Sequence, residues 1–361
     1  GVPIRQANIS AYLAHVIPRY EVGPGARLSQ SFDLTFDVSV FDMFTAWGGG
    51  ATLVVPDHDE VLTPVRFVTG RGITHWCSVP SVVSFARRMR ALRPGSMPGL
   101  RFSLFAGEPL SLQQAAAWQA AAPGSRLENF YGPTELTVTC SEYRLPAETA
   151  DWPATANGTV PIGRVYPHLE HVVLDPDGRP ATEGELCVRG PQRFPGYLDP
   201  ADNAARFWDL DGDRPAVSGD LAAVPPHLWY RTGDRVRPDG DRGLLHLGRL
   251  DQQVKVAGYR VELGEIEAAL RDQPAVHDAV VLALDAPRGG TELHAVCTGD
   301  GAEPGLLLDA LRSRLPAYMV PATLRVLSEL PLNGNGKTDR TAVAALLSAH
   351  EGRPPAREGA R

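Results

Sequence analysis

Three short stretches of this chain carry side chains suited to handling charge. "NGNGKTDR" (333–340) holds one lysine, Lys337, on a run of asparagines and glycines between an apolar segment and a short alanine-rich one. Glycine lets such a loop approach a ligand closely, although a lone lysine is ordinarily a solvated surface group. "NFYGPTE" (129–135) gathers an amide, a phenol, a hydroxyl and a carboxylate around a Gly-Pro turn. "YRTGD" (230–234) ends in Asp234, whose two carboxylate oxygens can accept from a pair of hydroxyls. Other chemistries fit worse. "GNGKT" echoes a phosphate-binding P-loop, but Pro331 stands where that motif needs its first glycine. "DLDGD" (209–213) lacks the spacing of a calcium loop, and the ten histidines form no HExxH. "HLEH" (168–171) reads as a surface pair, so no metal site built from protein ligands alone is expected.

The elements that must position these residues change character along the chain. Residues 8–140 alternate helical and strand-like runs. "ANISAYLAHVIPRY" predicts a helix capped by Asn8 or Ser10. "FDVSVFDMFTAW" predicts another, with Asp37 at its N-cap and Val40, Phe41, Phe44 and Trp47 on its apolar face. "ATLVVP", "FSLFAG" and "RLENFYG" read as strands, "ITHWCSVPSVVSFARRMRAL" as strand, turn and helix, and a helix is expected to begin near Thr134. Such alternation predicts an α/β fold, a parallel sheet flanked by helices. Between 155 and 250, short strands joined by Asp-Gly and Pro-Asp turns predict a small antiparallel β unit. From 251 to 348 a compact α+β unit follows, with "GEIEAAL" as an amphipathic helix of structural glutamates. The last residues, 349–361, have the composition of a disordered tail. The division expected is thus 1–154, 155–250, 251–348 and a tail.

Composition narrows the function. With 361 residues the chain has room for two or three domains or subdomains. Its 35 basic residues trail 42 acidic ones, a net charge of −7 that favours neither a nucleic acid nor an anionic membrane as partner. No apolar run reaches the roughly 18 residues of a membrane span. The four cysteines (Cys77, Cys140, Cys187, Cys297) form no CxxC pair, which points to a reducing cytoplasm. The opening "GVPIRQANIS" has no methionine and no signal peptide, and reads as the interior of a longer chain.

Five segments in order carry a resemblance: "FDVSVFDMF" (36–44), "NFYGPTE", "YRTGD", "GRLDQQVKVAGYRVELGEIE" (248–267) and "NGNGKTDR". Together they resemble the adenylate-forming enzymes, most closely the amino-acid adenylation domains of nonribosomal peptide synthesis. Acyl-CoA synthetases and luciferases belong to the same superfamily. The resemblance covers nearly the whole chain and implies a missing N-terminal part ending in a phosphate loop, with Gly1 as its last glycine. It implies a reaction that joins a carboxylate to the α-phosphate of ATP, expels pyrophosphate, and passes the acyl group to a thiol, usually the phosphopantetheine of a carrier protein.

The resemblance also assigns residues. Lys337 would bridge the substrate carboxylate and the charge developing at phosphorus, where positioning and charge stabilisation do most of the work. It sets Tyr131 on adenine and Asn129 on its amino edge, with Gly107 and Glu108 of "FAGEP" and Gly132 beside them. Thr134 would meet phosphate and Glu135 a Mg²⁺ ion, although both residues could simply cap a helix. Asp234 would hold the ribose hydroxyls, with Arg249 as a second contact. Asp251 would be the hinge about which the terminal domain turns, exchanging the Lys337 loop for a face carrying Lys255 and the small Gly258, which leaves room for a pantetheine arm. Asp37 would pair with the substrate ammonium, and Val38, Phe41, Ser78, Leu104, Ala106, Phe130, Val138 and Thr139 would line the rest of the pocket. Those residues carry no further charge, so a small to medium uncharged amino acid is expected. Asp33, in "FDLTFDVS", leaves an α- or a β-amino group open. Two other readings remain at this stage: an acyl- or aryl-CoA ligase, which Asp37 disfavours, and a truncated nucleotide-binding remnant.

Overall fold

The computed structural model describes residues 1–57, 60, 63–210, 214–215, 224–250, 253–286, 290–331 and 338–348. Lys337, Asp251 and the 349–361 tail lie outside the described residues. The chain divides into two units, Gly1–Asp251 and Gln252–Arg361.

The first unit begins with helix α1 (Gln6–Arg19), whose inward stripe Asn8, Tyr12 and Val16 recurs every fourth residue. Neither expected cap holds. Arg5 is the N-cap, and Asn8, three residues on, turns its Oδ1 back to accept the Arg5 N–H at 2.9 Å. Strands β1 (Arg27–Ser29) and β2 (Thr52–Val54) flank α2 (Val38–Gly48), and α3 (Pro64–Arg71) precedes β3 (His75–Ser78). Then come α4 (Ser81–Arg88), β4 (Phe102–Phe105), α5 (Leu112–Ala121), β5 (Arg126–Tyr131), β6 (Ser141–Arg144) and β7 (Arg164–Val165). The sheet runs β2-β1-β3-β4-β5-β6-β7, parallel through β5 and antiparallel thereafter. β3 and β4 are buried along their full length, as a sheet covered on both faces requires.

Helix α2 turns a different face inward from the one its apolar residues suggest. Val38, Phe41, Asp42 and Thr45 are buried, whereas Phe44 and Trp47 are 41% and 56% exposed and pack on each other, ring centroids 5.5 Å apart. The expected helix at Thr134 is a single 3₁₀ turn, Thr134–Leu136.

A second sheet joins β8 (Glu170–Leu174), β9 (Gly184–Arg189), β10 (Phe207–Asp209), β11 (Arg214–Pro215), β12 (Trp229–Pro238) and β13 (Leu244–Arg249) in antiparallel pairs. One hydrophobic cluster runs from Tyr12 and Phe41 through Phe130 and Val138 to Tyr230 and Leu244, so both sheets of this unit share a core.

The second unit has a hairpin, β14 (Gln253–Val256) and β15 (Tyr259–Glu262), whose two-residue loop Ala257–Gly258 has φ of +50° and +86°. Positive φ at both loop positions matches the right-handed twist of the strands, and glycine takes it without strain. Helix α6 (Leu263–Arg271), β16 (Asp278–Asp285), β17 (Thr291–Thr298), α7 (Pro304–Arg314), β18 (Thr323–Leu327) and α8 (Arg340–Ser348) complete it around a three-stranded sheet. The "GEIEAAL" glutamate Glu267 is structural here. It is 7% exposed, accepts the Val281 N–H at 2.9 Å and pairs with Arg340. Glu267→Ala strands the Arg340 guanidinium and the Val281 amide, and is expected to destabilise this unit by roughly 3 kcal/mol in denaturant titration.

Candidate active site

The carboxyl ends of parallel strands are where an α/β sheet places ligands. Register sets Ser78, Phe105 and Asn129 side by side at the ends of β3, β4 and β5. Ala106, Gly107 and Glu108 follow β4, and Phe130 and Tyr131 end β5, with Gly132 next. Gly107 needs its glycine, with φ at +90°. So does Gly132, where a Cβ would lie 2.4 Å from the Thr139 Cα. The Glu108 carboxylate accepts the Ser81 N–H at 2.8 Å, at the N-terminus of α4. It therefore ties the segment after β4 to the start of α4.

Asn129 is 3% exposed and donates through Nδ2 to the carbonyls of Pro161 (2.9 Å) and Val160 (3.3 Å). Its Oδ1 is buried with no hydrogen-bond partner among the described residues. An orphaned acceptor at a strand end is the complement of an exocyclic amino group such as adenine's.

Asp234 draws together residues that are distant in sequence. Tyr131 donates its O–H to Oδ2 at 2.6 Å, and His246 Nε2 and Arg249 Nη1 lie 3.0 and 3.1 Å from Oδ1. Asp234 on β12 faces Arg249 on β13 in register, and a bulge in the β12–β9 ladder and Gly233, at φ +74°, shape the turn of chain before it. Burial pushes the carboxyl upward, but the His246 hydrogen bond, the charges of Arg249 and His246 and the Tyr131 hydroxyl outweigh it and hold the pKa at about 2. The unfolded carboxyl titrates near pH 4, so this stabilisation is whole above that pH and is lost as the pH falls toward 2. Asp234→Asn should therefore cost about 2 kcal/mol at neutral pH and little near pH 2, measured by denaturation at both.

Glu135 is fully buried, with Tyr197 donating to its Oε1 and its own carbonyl accepting the Phe194 N–H at 2.8 Å. A single carboxylate beside Thr134 suits Mg²⁺, which takes few protein ligands and completes its shell with phosphate and water.

Several residues that the sequence assigns to the substrate pocket share one core. Val38 and Phe41 on α2, with Leu104, Ala106, Phe130 and Val138, belong to one buried cluster, and the rings of Phe41 and Phe130 meet edge to face at 5.5 Å. The two hydroxyls are already engaged. Ser78 Oγ accepts from Trp76 Nε1 (2.9 Å) and donates to the Val79 carbonyl (3.2 Å), while Thr139 Oγ1 lies 2.7 Å from the Tyr166 hydroxyl. Asp37 occupies the N-cap position of α2 with φ −67° and ψ −24°, and its side chain makes no capping hydrogen bond. Asp33 is exposed and accepts the N–H and O–H of Thr35, both at 2.8 Å, in a local turn. Those hydrogen bonds hold its carboxyl below the usual range.

Three residues that sequence reasoning missed shape this site. His246 contacts Asp234. Asp42 on α2 is 1% exposed, and burial raises its pKa well above the carboxylate range. Gln192 grips the 136–139 turn. In the second unit, Lys255 lies on β14 opposite Arg260 and Gly258 lies in the hairpin loop. The Pro331 carbonyl accepts the Asp339 N–H at 2.7 Å, and Asp339 caps α8 through Thr341 and Ala342, so the chain ends flanking Lys337 are tied together.

Family models for an AMP-binding enzyme and for the AMP-binding enzyme C-terminal domain match residues 1–198 and 265–337. The chain belongs to the AMP-binding enzyme family. Among its relatives, the L-proline--[L-prolyl-carrier protein] ligase of Streptomyces coelicolor is 35% identical over 350 residues, covering 94% of this chain and 62% of the ligase. Chondramide synthase cmdD of Chondromyces crocatus is 35% identical over 354 residues, covering 94% of this chain and 8% of the synthase. Of solved structures, IdnL7 is 43% identical with a TM-score of 0.64, covering 97% of this chain and 65% of that one. The Vibrio cholerae adenylation domain AlmE, crystallised with glycyl-adenosine-5′-phosphate, is 30% identical with a TM-score of 0.81, covering 96% and 64%. The AMP-binding chain thus spans less than two thirds of each of these relatives. Among the described residues, no helix is long and apolar enough to cross a membrane.

Proposed function

We propose that the protein carrying this chain is an amino-acid adenylating ligase: it converts an amino acid and ATP to an aminoacyl-adenylate and pyrophosphate, then forms a thioester on a carrier protein's phosphopantetheine with release of AMP. The observation that carries the reading is Asp37. Its carboxylate makes no cap on α2, although it stands at that helix's first turn beside the apolar wall of Val38 and Phe41. An ammonium brought to an apolar wall needs an anionic partner. Asp37 would pair with it, leaving the substrate carboxylate toward the strand ends.

In this reading the orphaned Asn129 Oδ1 accepts from the adenine amino group and Asp234 retains acceptor capacity for ribose hydroxyls. Glu135 and Thr134 would hold Mg²⁺ and phosphate; the ion supplies charge neutralisation for the polyphosphate. Lys337 would contact the reacting carboxylate and phosphate during adenylation, and Lys255 and Gly258 would serve the thiol step after a turn about Asp251. With Ser78 and Thr139 hydroxyls engaged inside the protein, the pocket favours a small to medium apolar side chain. The glycyl-adenylate bound by AlmE supports a ligand of this class.

The test is ATP–pyrophosphate exchange by the full-length protein across amino, deaminated, fatty and aryl acids. Exchange confined to amino acids is expected. Exchange driven best by a fatty or aryl acid would replace this reading with an acyl- or aryl-CoA ligase.

A further inference from the structure

Two consecutive β-branched residues sit in the left-handed region, Val138 of the proposed pocket and Thr137, which precedes it outside the pocket lining. Thr137 has φ +60° and ψ +82°, and Val138 has φ +69°. Both are buried, at 1% and 4% exposure. Side chains branched at Cβ rarely adopt this conformation, and each such residue persists only where its surroundings over-determine it. The strained pair separates Glu135 from Thr139, so its geometry sets both.

What over-determines it is one segment, 191–197. Gln192 is fully buried, and both polar atoms of its side-chain amide are used. Its Nε2 donates to the carbonyls of Leu136 and Thr139, both at 2.8 Å, bracketing the strained pair. Its own carbonyl accepts the Thr137 hydroxyl at 2.6 Å, and its Oε1 faces His168 Nε2 at 2.5 Å. Phe194 N–H and the Tyr197 hydroxyl reach Glu135 from the same segment. Asn8 of α1 fixes the backbone on either side of Gln192 by donating to the carbonyls of Pro191 (2.7 Å) and Arg193 (3.1 Å).

We infer that Gln192 is a positioning residue for substrate selection: its side-chain amide holds Thr137 and Val138 in the strained turn that aims Val138 and Thr139 into the amino-acid pocket and Glu135 toward the phosphates. This rests on the adenylation reading above. A glutamine that merely filled the core would be replaceable by an apolar side chain of its size without changing which substrate is chosen. Methionine is that replacement, since it keeps length and loses every hydrogen bond of the amide.

The experiment uses the full-length protein in ATP–pyrophosphate exchange, with thermal melting alongside. Compare kcat/KM for the best amino acid and for its homologue larger by one methylene. A rigid pocket can separate such a pair by roughly 10–200-fold; Gln192→Met is expected to bring the ratio toward parity, a loss of about tenfold. Thr137→Gly should keep the wild-type ratio, because glycine takes φ +60° without strain. In the double variant it should restore most of the ratio that Gln192→Met loses. A folded Gln192→Met with the wild-type ratio overturns the inference. So does a Gln192→Met that fails to fold and is not rescued by Thr137→Gly, since Gln192 would then be a general core residue with no particular hold on the turn. If the wild-type protein exchanges no amino acid at all, the functional reading itself fails, which these variants leave distinct.

Discussion

Asp37→Ala in the full-length protein is expected to lower kcat/KM for the amino acid by two to three orders of magnitude while the deaminated acid of the same shape gains on it. The size follows from stranding an ammonium in a mostly apolar pocket: removing one partner of a buried charge pair costs roughly 3–5 kcal/mol, and each 1.4 kcal/mol is about tenfold. The competing account, that Asp37 caps α2, makes a different forecast. Losing a cap costs about 1 kcal/mol of stability and touches every substrate alike. The geometry already weighs against it, because the Asp37 side chain makes no capping bond to the helix. Pyrophosphate exchange with both acids on both proteins separates the two. An equal drop for the two acids would return Asp37 to a structural role and remove the argument for an amino-acid substrate.

The residues around Asp37 show what a sequence makes legible and what it hides. "FSLFAG" and "RLENFYG" read as strands because short apolar runs ending in glycine have few other ways to be buried, and β4 and β5 stand there. The inward face of α2 did not read correctly. Val40, Phe41, Phe44 and Trp47 form an apolar stripe at helical spacing, yet the fold buries Asp42 and Thr45 and leaves Phe44 and Trp47 of that stripe outside. Periodicity ranks faces by hydrophobicity and has no term for a carboxyl that the tertiary fold buries. Helix α5 was passed over although Ser111 and Gln114 form a reciprocal capping box at its start. Its alanine-rich body carries little amphipathic contrast. His246 and Gln192 were invisible for a simpler reason. Their partners, Asp234 and the 136–139 turn, are set by strand pairing and by long-range backbone contacts, and nothing in the local pattern around a single histidine or glutamine announces them.

Lys337→Ala is expected to divide the proposed reaction in two. Adenylation should fall by roughly two to three orders of magnitude, the scale of losing one charged donor aimed at a transition state. Transfer from a preformed aminoacyl-adenylate to the carrier thiol should stay near the parent rate. The reason is that the proposed reading assigns Lys337 to one arrangement of a small domain only; the described residues that flank it, Pro331 and Asp339, are joined by a hydrogen bond, and Asp339 caps α8. The lysine can serve one arrangement of that domain and be withdrawn in another. Lys255, on the β14–β15 hairpin of the same domain, is expected to show the reverse: Lys255→Ala slows transfer and spares adenylation. The two half-reactions are measured separately, pyrophosphate exchange for the first and loading of a carrier protein from chemically made adenylate for the second. Equal losses in both steps for Lys337→Ala would mean that the lysine supports the fold of the domain, and the division of labour between the two lysines would be wrong. Opposite losses would place both at one active centre at different moments, which a single rigid arrangement of the chain cannot do.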